Sequence, residues 1–433
     1  MTLSFIPADQ DTRCRIRDSL DENPLVEAGA GTGKTTSLVE RVLRLIVTGR
    51  ATLDRVAAIT FTEAAAAELR DRVRENLEQA AEDSNLTEKE RQRCRQGARD
   101  LDQAAIQTLH SFAGSLLRER PLEAGLPPNF DTLDEIQADL LFQEAWEGWL
   151  DVALDAPALT PYLRTALTLG VSLGHLREAA RQFHRNYDLL ECSDFPDVPA
   201  PQPRAGAALK ETAPELERLC AFARRADQDD LVSHVQTVLG LARRLKGVEP
   251  GSLLEHRLLA QSPPIKTVKG RQRDWDQDPG TGQNACKVVK DVLSELEAVK
   301  QEELEGVRRA SLMPLLRALR DFVLGYARER KGRGLAEFQD LLVWARDLLR
   351  DNLEVRDYFR RRYTHLLVDE FQDTDPLQME IALFLAEDVP PGASAESRPR
   401  RWTDVCPEPG VLASQFCNGQ LYRDLYNLSG LKV

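Results

Sequence analysis

"VEAGAGTGKTTSLVERV" (Val26–Val42) is a glycine-rich turn between an apolar run and an amphipathic segment, and its reading decides the fold. It departs from the phosphate-loop pattern G-x-x-x-x-G-K-[ST] at one place, where the first glycine is Ala28. A phosphate cradle needs backbone N–H groups that converge on the anion. It also needs glycine where the chain turns with positive φ or approaches the ligand. Gly29, Gly31 and Gly33 meet those needs. "PLVEAGA" (Pro24–Ala30) reads as a short buried strand entering the turn. "TSLVERVLRLIVTG" reads as a helix leaving it, with Leu38, Val42, Leu45 and Ile46 on one face and Gly49 as its stop. The free N–H groups and dipole of that helix's N-terminus favour an anion. Ala28, Gly29, Gly31, Thr32, Gly33, Lys34, Thr35 and Thr36 are then the nucleotide-binding residues. Lys34 reaches the β- and γ-phosphates and Thr35 sets its hydroxyl on Mg²⁺. The plain alternative is a glycine-rich turn with a fortuitous lysine.

Working outward, the first 120 or so residues alternate short apolar runs with amphipathic helices, the rhythm of an α/β sheet. "VAAITFT" (Val56–Thr62) reads as a second buried strand, followed by an alanine-rich helix from about Glu63 to Glu82. "TEKE" (Thr87–Glu90) has capping-box spacing. From about Gly125 to Arg360, long Leu/Ala/Arg/Glu-rich helical segments dominate. Two stretches, Phe195–Ala207 and Ser262–Gln283, interrupt them as surface loops. "YTHLLVDEFQDTDPLQ" (Tyr363–Gln378) returns to α/β character. A helical block between two pieces of one sheet is what an inserted domain looks like in sequence.

"LLVDE" places Asp369 and Glu370 at the C-terminal end of a strand, where open α/β sheets bind their ligands. Asp369 would hold Mg²⁺, and Glu370 would orient and deprotonate the attacking water. A carboxylate pair after an apolar strand is a weak signal alone and a strong one beside the loop. Near Thr60 and Gln107, the residues Thr60, Thr62, Thr108, His110 and Ser111 have the hydrogen-bonding groups to meet a phosphate backbone. Capping and turn formation explain the same short polar residues, and a satisfied core histidine explains His110.

Taken together, "AGAGTGKTT", "TFTEAAAAEL", "LHSF" and "VDEFQDTDPLQ" resemble, in order and context, the superfamily 1 DNA helicases of the UvrD/Rep type. The glutamate of "TFTE" and the large helical block look more like the RecB/AddA branch. That family begins its phosphate loop with alanine, so Ala28 fits. The resemblance implies a P-loop, RecA-like parallel-sheet domain of α/β class with a large inserted all-helical domain. It implies ATP and Mg²⁺ as cofactors and 3′–5′ movement on single-stranded DNA in repair or recombination. By resemblance, Gln10 reads the adenine edge, and Gln372 with Asp373 couples nucleotide state to DNA contacts. Thr60, Phe61 and Thr62, with Thr108, His110 and Ser111, match the motifs that hold a single strand. Lys266, Lys269, Arg271 and Arg273 could meet duplex phosphates, although Asp274, Asp276 and Asp278 beside them make a plain solvated loop an equal reading. Ala64 stands where relatives often carry lysine, a departure from the pattern that removes a cation for DNA at that position.

The implied organisation is residues 1–124 and 346–408 as one ATPase domain and 125–345 as the insertion. Residues 409–433 would be a divergent tail. The resemblance stops near Gly410, before the expected GDxxQ-type strand and second RecA-like domain. A truncated or frameshifted helicase that unwinds nothing by itself is therefore expected. The implied partners are single-stranded and duplex DNA, and a nuclease or second helicase–nuclease subunit. The alternative is a one-domain module that grips a strand or a partner without unwinding. Another P-loop enzyme fits less well, because "LHSF" and "EFQDTDPLQ" would have no role in it.

Bulk properties agree with a cytoplasmic protein. The chain has 433 residues, too many for one ordinary domain, with 42% hydrophobic and 29% charged residues. It has no apolar run of the roughly 18 residues that a membrane span needs and no secretory leader. The seven cysteines form no C-x-x-C pair, so they indicate neither a zinc site nor an iron–sulfur cluster. A net charge of −13 argues against simple coating of nucleic acid but not against a local groove that grips a strand.

Overall fold

The computed structural model describes residues 9–27, 29, 31–191, 193–371, 375–389 and 394–400. The expectations for Ala28, Gln372, Asp373 and the tail beyond 400 fall outside these residues. The chain divides into two compact units, Met1–Ala138 with Glu329–Val433, and Asp139–Arg328.

In the first unit, α1 (Gln10–Asp18) precedes the glycine-rich turn and α2 (Lys34–Thr48) follows it. Val39, Val42, Leu45, Ile46 and Val47 of α2 are buried on one face. The helix stops at Gly49, whose left-handed φ of 72° lets its N–H turn back to the Ile46 carbonyl. A fully buried strand follows, β1 (Val56–Thr60), then α3 (Glu63–Glu82), α4 (Glu88–Arg99), β2 (Ala105–Thr108) and α5 (Leu109–Glu119). The capping box at Thr87 and Glu90 forms as the spacing predicts. After the second unit come α14 (Phe338–Asp351), α15 (Leu353–Arg362), β5 (His365–Val368) and α16 (Pro376–Ala386). A two-residue parallel pair, β3 (Asp131–Thr132) with β4 (Leu335–Ala336), belongs to the same unit.

The main sheet is parallel, in the order β2-β1-β5, with Ala58 opposite both Ile106 and Leu367. Alternation along the strands assigns the two faces. Val56, Ala58, Ile106 and Leu367 pack with α2, α3 and α4 around Val42, Leu45, Leu69, Leu77 and Cys94. Ile59, Leu366 and Val368 face Leu109, Phe112, Ile381 and Leu385 of α5 and α16. Apolar β-strands covered by helices on both faces are what a parallel sheet requires.

The strand expected at Pro24–Ala30 is absent over its described residues, Pro24–Glu27 and Gly29. Leu25 is 70% exposed and Val26 39%, in backbone with no ladder partner among the described residues. An apolar run becomes a strand only when a neighbour takes its hydrogen bonds, and β5 pairs on one edge alone among the described residues. Thr62, read as the end of a strand, instead caps α3 by accepting the Ala65 N–H at 3.1 Å.

The entry to α14 is held by a buried charge cluster. Arg330 and Asp340 are each 1% exposed and ion-paired, and Arg330 also lies 3.1 Å from Glu337. Asp340 Oδ2 accepts the Glu337 N–H at 2.7 Å, so one carboxylate both neutralises Arg330 and closes the helix start. Asp340→Ala removes both services at a buried charge. It is expected to lower the unfolding free energy by roughly 3 kcal/mol, read by urea denaturation.

Every named element whose residues lie wholly in the second unit is helical: α7 (Thr160–Thr168), α8 (Leu173–Arg185), α9 (Tyr187–Leu190), α10 (Ala205–Cys220), α11 (Asp230–Arg244), α12 (Leu253–Ala260) and short 3₁₀ turns. The unit also contains most of α6 (Glu135–Asp155) and of the 49-residue α13 (Ala285–Arg333). Leu209, Leu219, Leu231, Val235, Leu239, Val289 and Leu293 form its core. The stretch Ser262–Gln283 is more than a solvated loop. Trp275 within it is 2% exposed, and its indole N–H donates to Asp229 Oδ2 at 2.9 Å. Asp274 lies 3.8 Å from Arg273, Asp276 pairs with Arg224 at 2.9 Å and Asp278 with Arg218 at 2.7 Å, so all three nearby carboxylates are engaged.

Candidate functional site

The loop region places Gly31 at φ 75° and Gly33 at φ 91°, both in the left-handed region where a Cβ is strained. Gly33 is the N-cap of α2 and its carbonyl accepts the Ser37 N–H at 3.0 Å. Lys34, Thr35 and Thr36 therefore form the helix's first turn, with its unpaired N–H groups and dipole. Thr32 Oγ1 donates to the Gly29 carbonyl at 2.7 Å and tightens the turn. A Cβ added at Gly31 would meet nothing within 4 Å, so the space beside Gly31 is open among the described residues.

Across from the loop, β5 ends at Val368, and the Asp369 N–H extends its ladder by donating to the Ile59 carbonyl at 2.8 Å. Glu370 then takes φ 52°, the one left-handed non-glycine among the described residues. Such a backbone costs about 1–3 kcal/mol and persists where its surroundings hold it. Here Asp369 Oδ1 accepts the Glu370 N–H at 3.0 Å. The turn brings Glu370 Oε2 to 3.5 Å from Lys34 Nζ. Two residues 336 positions apart in sequence (370 − 34) thus meet at the mouth of the loop.

Gln10 begins α1, and its amide donates to Cys14 Sγ at 3.7 Å rather than to the loop. The residue of α1 that does reach the loop is Arg13, which sequence reading passed over. Its Nη2 donates to the Thr32 carbonyl at 2.6 Å, while its Nε holds Asp9 at 3.1 Å. A basic residue one helical turn from the expected adenine reader was the available signal.

The expected strand-holding residues cluster at the ends of β1 and β2. Thr60 is 4% exposed and donates to the Thr62 carbonyl at 3.1 Å. Thr108, 6% exposed, caps α5 by accepting the Ser111 N–H at 3.3 Å. Phe61, by contrast, stands 61% exposed. Thr108 Oγ1 and Ser111 Oγ both donate to Glu63 Oε1, at 2.7 and 2.8 Å. Those hydroxyls hold the Glu63 carboxyl below its usual range. Glu63 was legible as a mark of resemblance but not as a bridge, because its partners lie 45 and 48 residues away.

His110 stacks on Phe338 with ring centroids 3.7 Å apart. Burial pushes its pKa down to about 4, so at neutral pH the ring is uncharged and offers no cation to a phosphate. A depressed histidine pKa means that the unfolded chain binds the proton more readily between about 6.5 and 4. The stability contribution is complete above that window and is lost as pH falls through it. In an NMR titration the His110 ring is expected to protonate near 4; protonation near 6.5 would mean that the half-buried ring is fully hydrated.

No helix among the described residues is long and apolar enough to cross a membrane. Residues 9–390 match the family described as UvrD/REP helicase N-terminal domain. The chain is 26% identical over 399 residues to an ATP-dependent helicase/nuclease subunit of Streptococcus sanguinis (strain SK36), covering 83% of this chain and 32% of that protein. For the protein of the same description from Staphylococcus haemolyticus (strain JCSC1435), identity is 25% over 402 residues, with 83% and 32% covered. For that of Carboxydothermus hydrogenoformans (strain ATCC BAA-161 / DSM 6008 / Z-2901), it is 28% over 407 residues, with 84% and 33% covered. The chain spans about a third of the length of these curated relatives.

Proposed function

This chain belongs to the UvrD/REP helicase N-terminal domain family, and from that premise we propose that it is the ATP- and strand-binding part of a DNA helicase acting in repair or recombination. The observation that carries the reading is the 3.5 Å approach of Lys34 Nζ to Glu370 Oε2 beside a glycine turn that begins a helix. A loop cation and a strand-end carboxylate so placed suit a bound triphosphate and the water that attacks it.

In this reading the first turn of α2 and the N–H groups of Gly29 to Thr36 receive the phosphates of ATP. Lys34 swings from Glu370 to the β- and γ-oxygens. Thr35 and Asp369 would hold Mg²⁺, whose charge screens the phosphates. The left-handed turn keeps Asp369 beside the ladder and points Glu370 at the water, from which its carboxylate takes the proton. Gln10 would read the adenine, and Arg13, braced by Asp9, steadies the Thr32 peptide. Gln372 with Asp373 would couple the nucleotide state to the strand contacts.

The turns after β1 and β2 would hold single-stranded DNA through Thr60, Phe61, Thr62, Thr108, His110 and Ser111. With His110 uncharged and the hydroxyls of Thr60 and Thr108 turned inward, backbone N–H groups, Phe61 and the exposed Thr62 hydroxyl are groups left to touch the strand. We read the helical unit as the inserted domain of this helicase class. The full assembly would add 3′–5′ movement and a second helicase–nuclease subunit. Some of the relatives are described as one subunit of a helicase/nuclease, which supports the partner. The 433-residue chain by itself is expected to turn ATP over slowly. The residues assigned here form a cradle, a metal ligand and a base. None of them is a cation facing the transferred phosphate from the opposite side, a group worth about 10³–10⁵ in rate. Equilibrium titration with a fluorescent ATP analogue tests the reading: saturable, Mg²⁺-dependent binding is expected, and none at millimolar nucleotide would refute it.

A further inference from the structure

We propose that Glu63 is a positioning residue for strand binding, locking the β1–α3 turn to the β2–α5 turn so that both present one fixed surface. This role rests on the strand-binding reading above. The sheet ladder carries β1 and β2 in register only as far as Thr60 opposite Thr108. Beyond that point the chains diverge into two helix starts, α3 capped by Thr62 and α5 capped by Thr108. Glu63 is the first residue of α3, and a single oxygen of its carboxylate accepts both Thr108 Oγ1 and Ser111 Oγ, at 2.7 and 2.8 Å. Thr108 Oγ1 also lies 3.0 Å from Ser111 Oγ, so the three groups close a triangle across the two turns.

The placement costs strand affinity, and a positioning role offsets that cost. A carboxylate beside two turns meant for a polyanion repels it. Arg70 lowers that repulsion without cancelling it: its charge acts on Glu63 while its Nη2 donates to the Ile106 carbonyl at 2.8 Å. The hydroxyl protons of Thr108 and Ser111 are spent on Glu63, so what those turns give a strand is backbone geometry. That geometry is what the bridge sets. Charge and bridging therefore pull in opposite directions, and two substitutions separate them. In Glu63→Gln the amide oxygen still accepts both hydroxyls and the charge is gone. In Glu63→Ala both are gone.

The experiment uses the full chain, a fluorescently labelled oligothymidylate and hydrogen exchange. Glu63→Ala is expected to weaken strand binding about fivefold to tenfold, and Glu63→Gln to stay within about twofold of wild type or bind more tightly. Affinity for an ATP analogue stays unchanged in both, which shows that the variants are folded. Amide exchange over residues 107–113 rises in Glu63→Ala and not in Glu63→Gln. Equal shifts in the two variants would make Glu63 a mere surface charge, and wild-type strand affinity in Glu63→Ala would remove its role. Unchanged exchange in Glu63→Ala would deny the bridge itself. A wild-type chain that binds no strand would instead overturn the strand-binding reading on which the role depends.

Discussion

Glu370→Gln is expected to cut ATP cleavage by about 10²–10⁴-fold, the usual contribution of a positioned general base. Nucleotide affinity should hold or rise, because the carboxylate that repels the γ-phosphate is gone. Glutamine meets the same left-handed penalty as glutamate at φ 52°, so the turn that aims the side chain is not relaxed by the change. The Asp369 Oδ1 bond to the residue 370 N–H is likewise untouched. Single-turnover phosphate release, with the chain in excess over ATP, reads the effect even where turnover is slow. Wild-type cleavage in Glu370→Gln would mean that the base lies elsewhere.

Lys34→Ala should weaken binding of Mg²⁺·ATP by about 10–100-fold, the worth of one or two charge-assisted hydrogen bonds. Lys34→Arg should not restore it, since a planar fork cannot replace a compact ammonium at the end of a tight turn. Stability should change little. The Lys34–Glu370 pair keeps 26% and 40% of its side chains exposed, and such pairs contribute weakly to folding. Calorimetric titration separates the two readouts. A loss of binding accompanied by unfolding would point to a structural lysine instead.

How legible was this molecule in its sequence? The parts governed by local rules were readable. Five buried residues in a row made β1, a glycine ended α2, and the Thr87–Glu90 spacing capped α4. The strand ending in Asp369 and Glu370 was readable for the same reason, and so was its link to the loop, because both motifs demand the same ligand. What failed depended on partners distant in the chain. Leu25 and Val26 have the composition of a strand, yet a strand exists only where a neighbour supplies the ladder. Glu63 was legible only as a mark of resemblance, Arg13 not at all, and Trp275 only as part of a loop. Their roles come from Ser111, Thr32 and Asp229, which lie 48, 19 and 46 residues away. His110 was weighed as a phosphate ligand on residue type and motif resemblance, and only the fold shows the stack on Phe338 and the partial burial that keeps the ring neutral.

The most direct test of the central claim is fluorescence anisotropy of a labelled single strand titrated with the chain, without nucleotide and with a non-hydrolysable ATP analogue and Mg²⁺. Saturable binding, weakened by salt, is expected, with an affinity that changes when the analogue is present, because Glu370, which Lys34 of the loop meets, and the turns after β1 and β2 lie at the C-terminal edge of one sheet. Binding indifferent to nucleotide, or no binding at low salt, would contradict that claim.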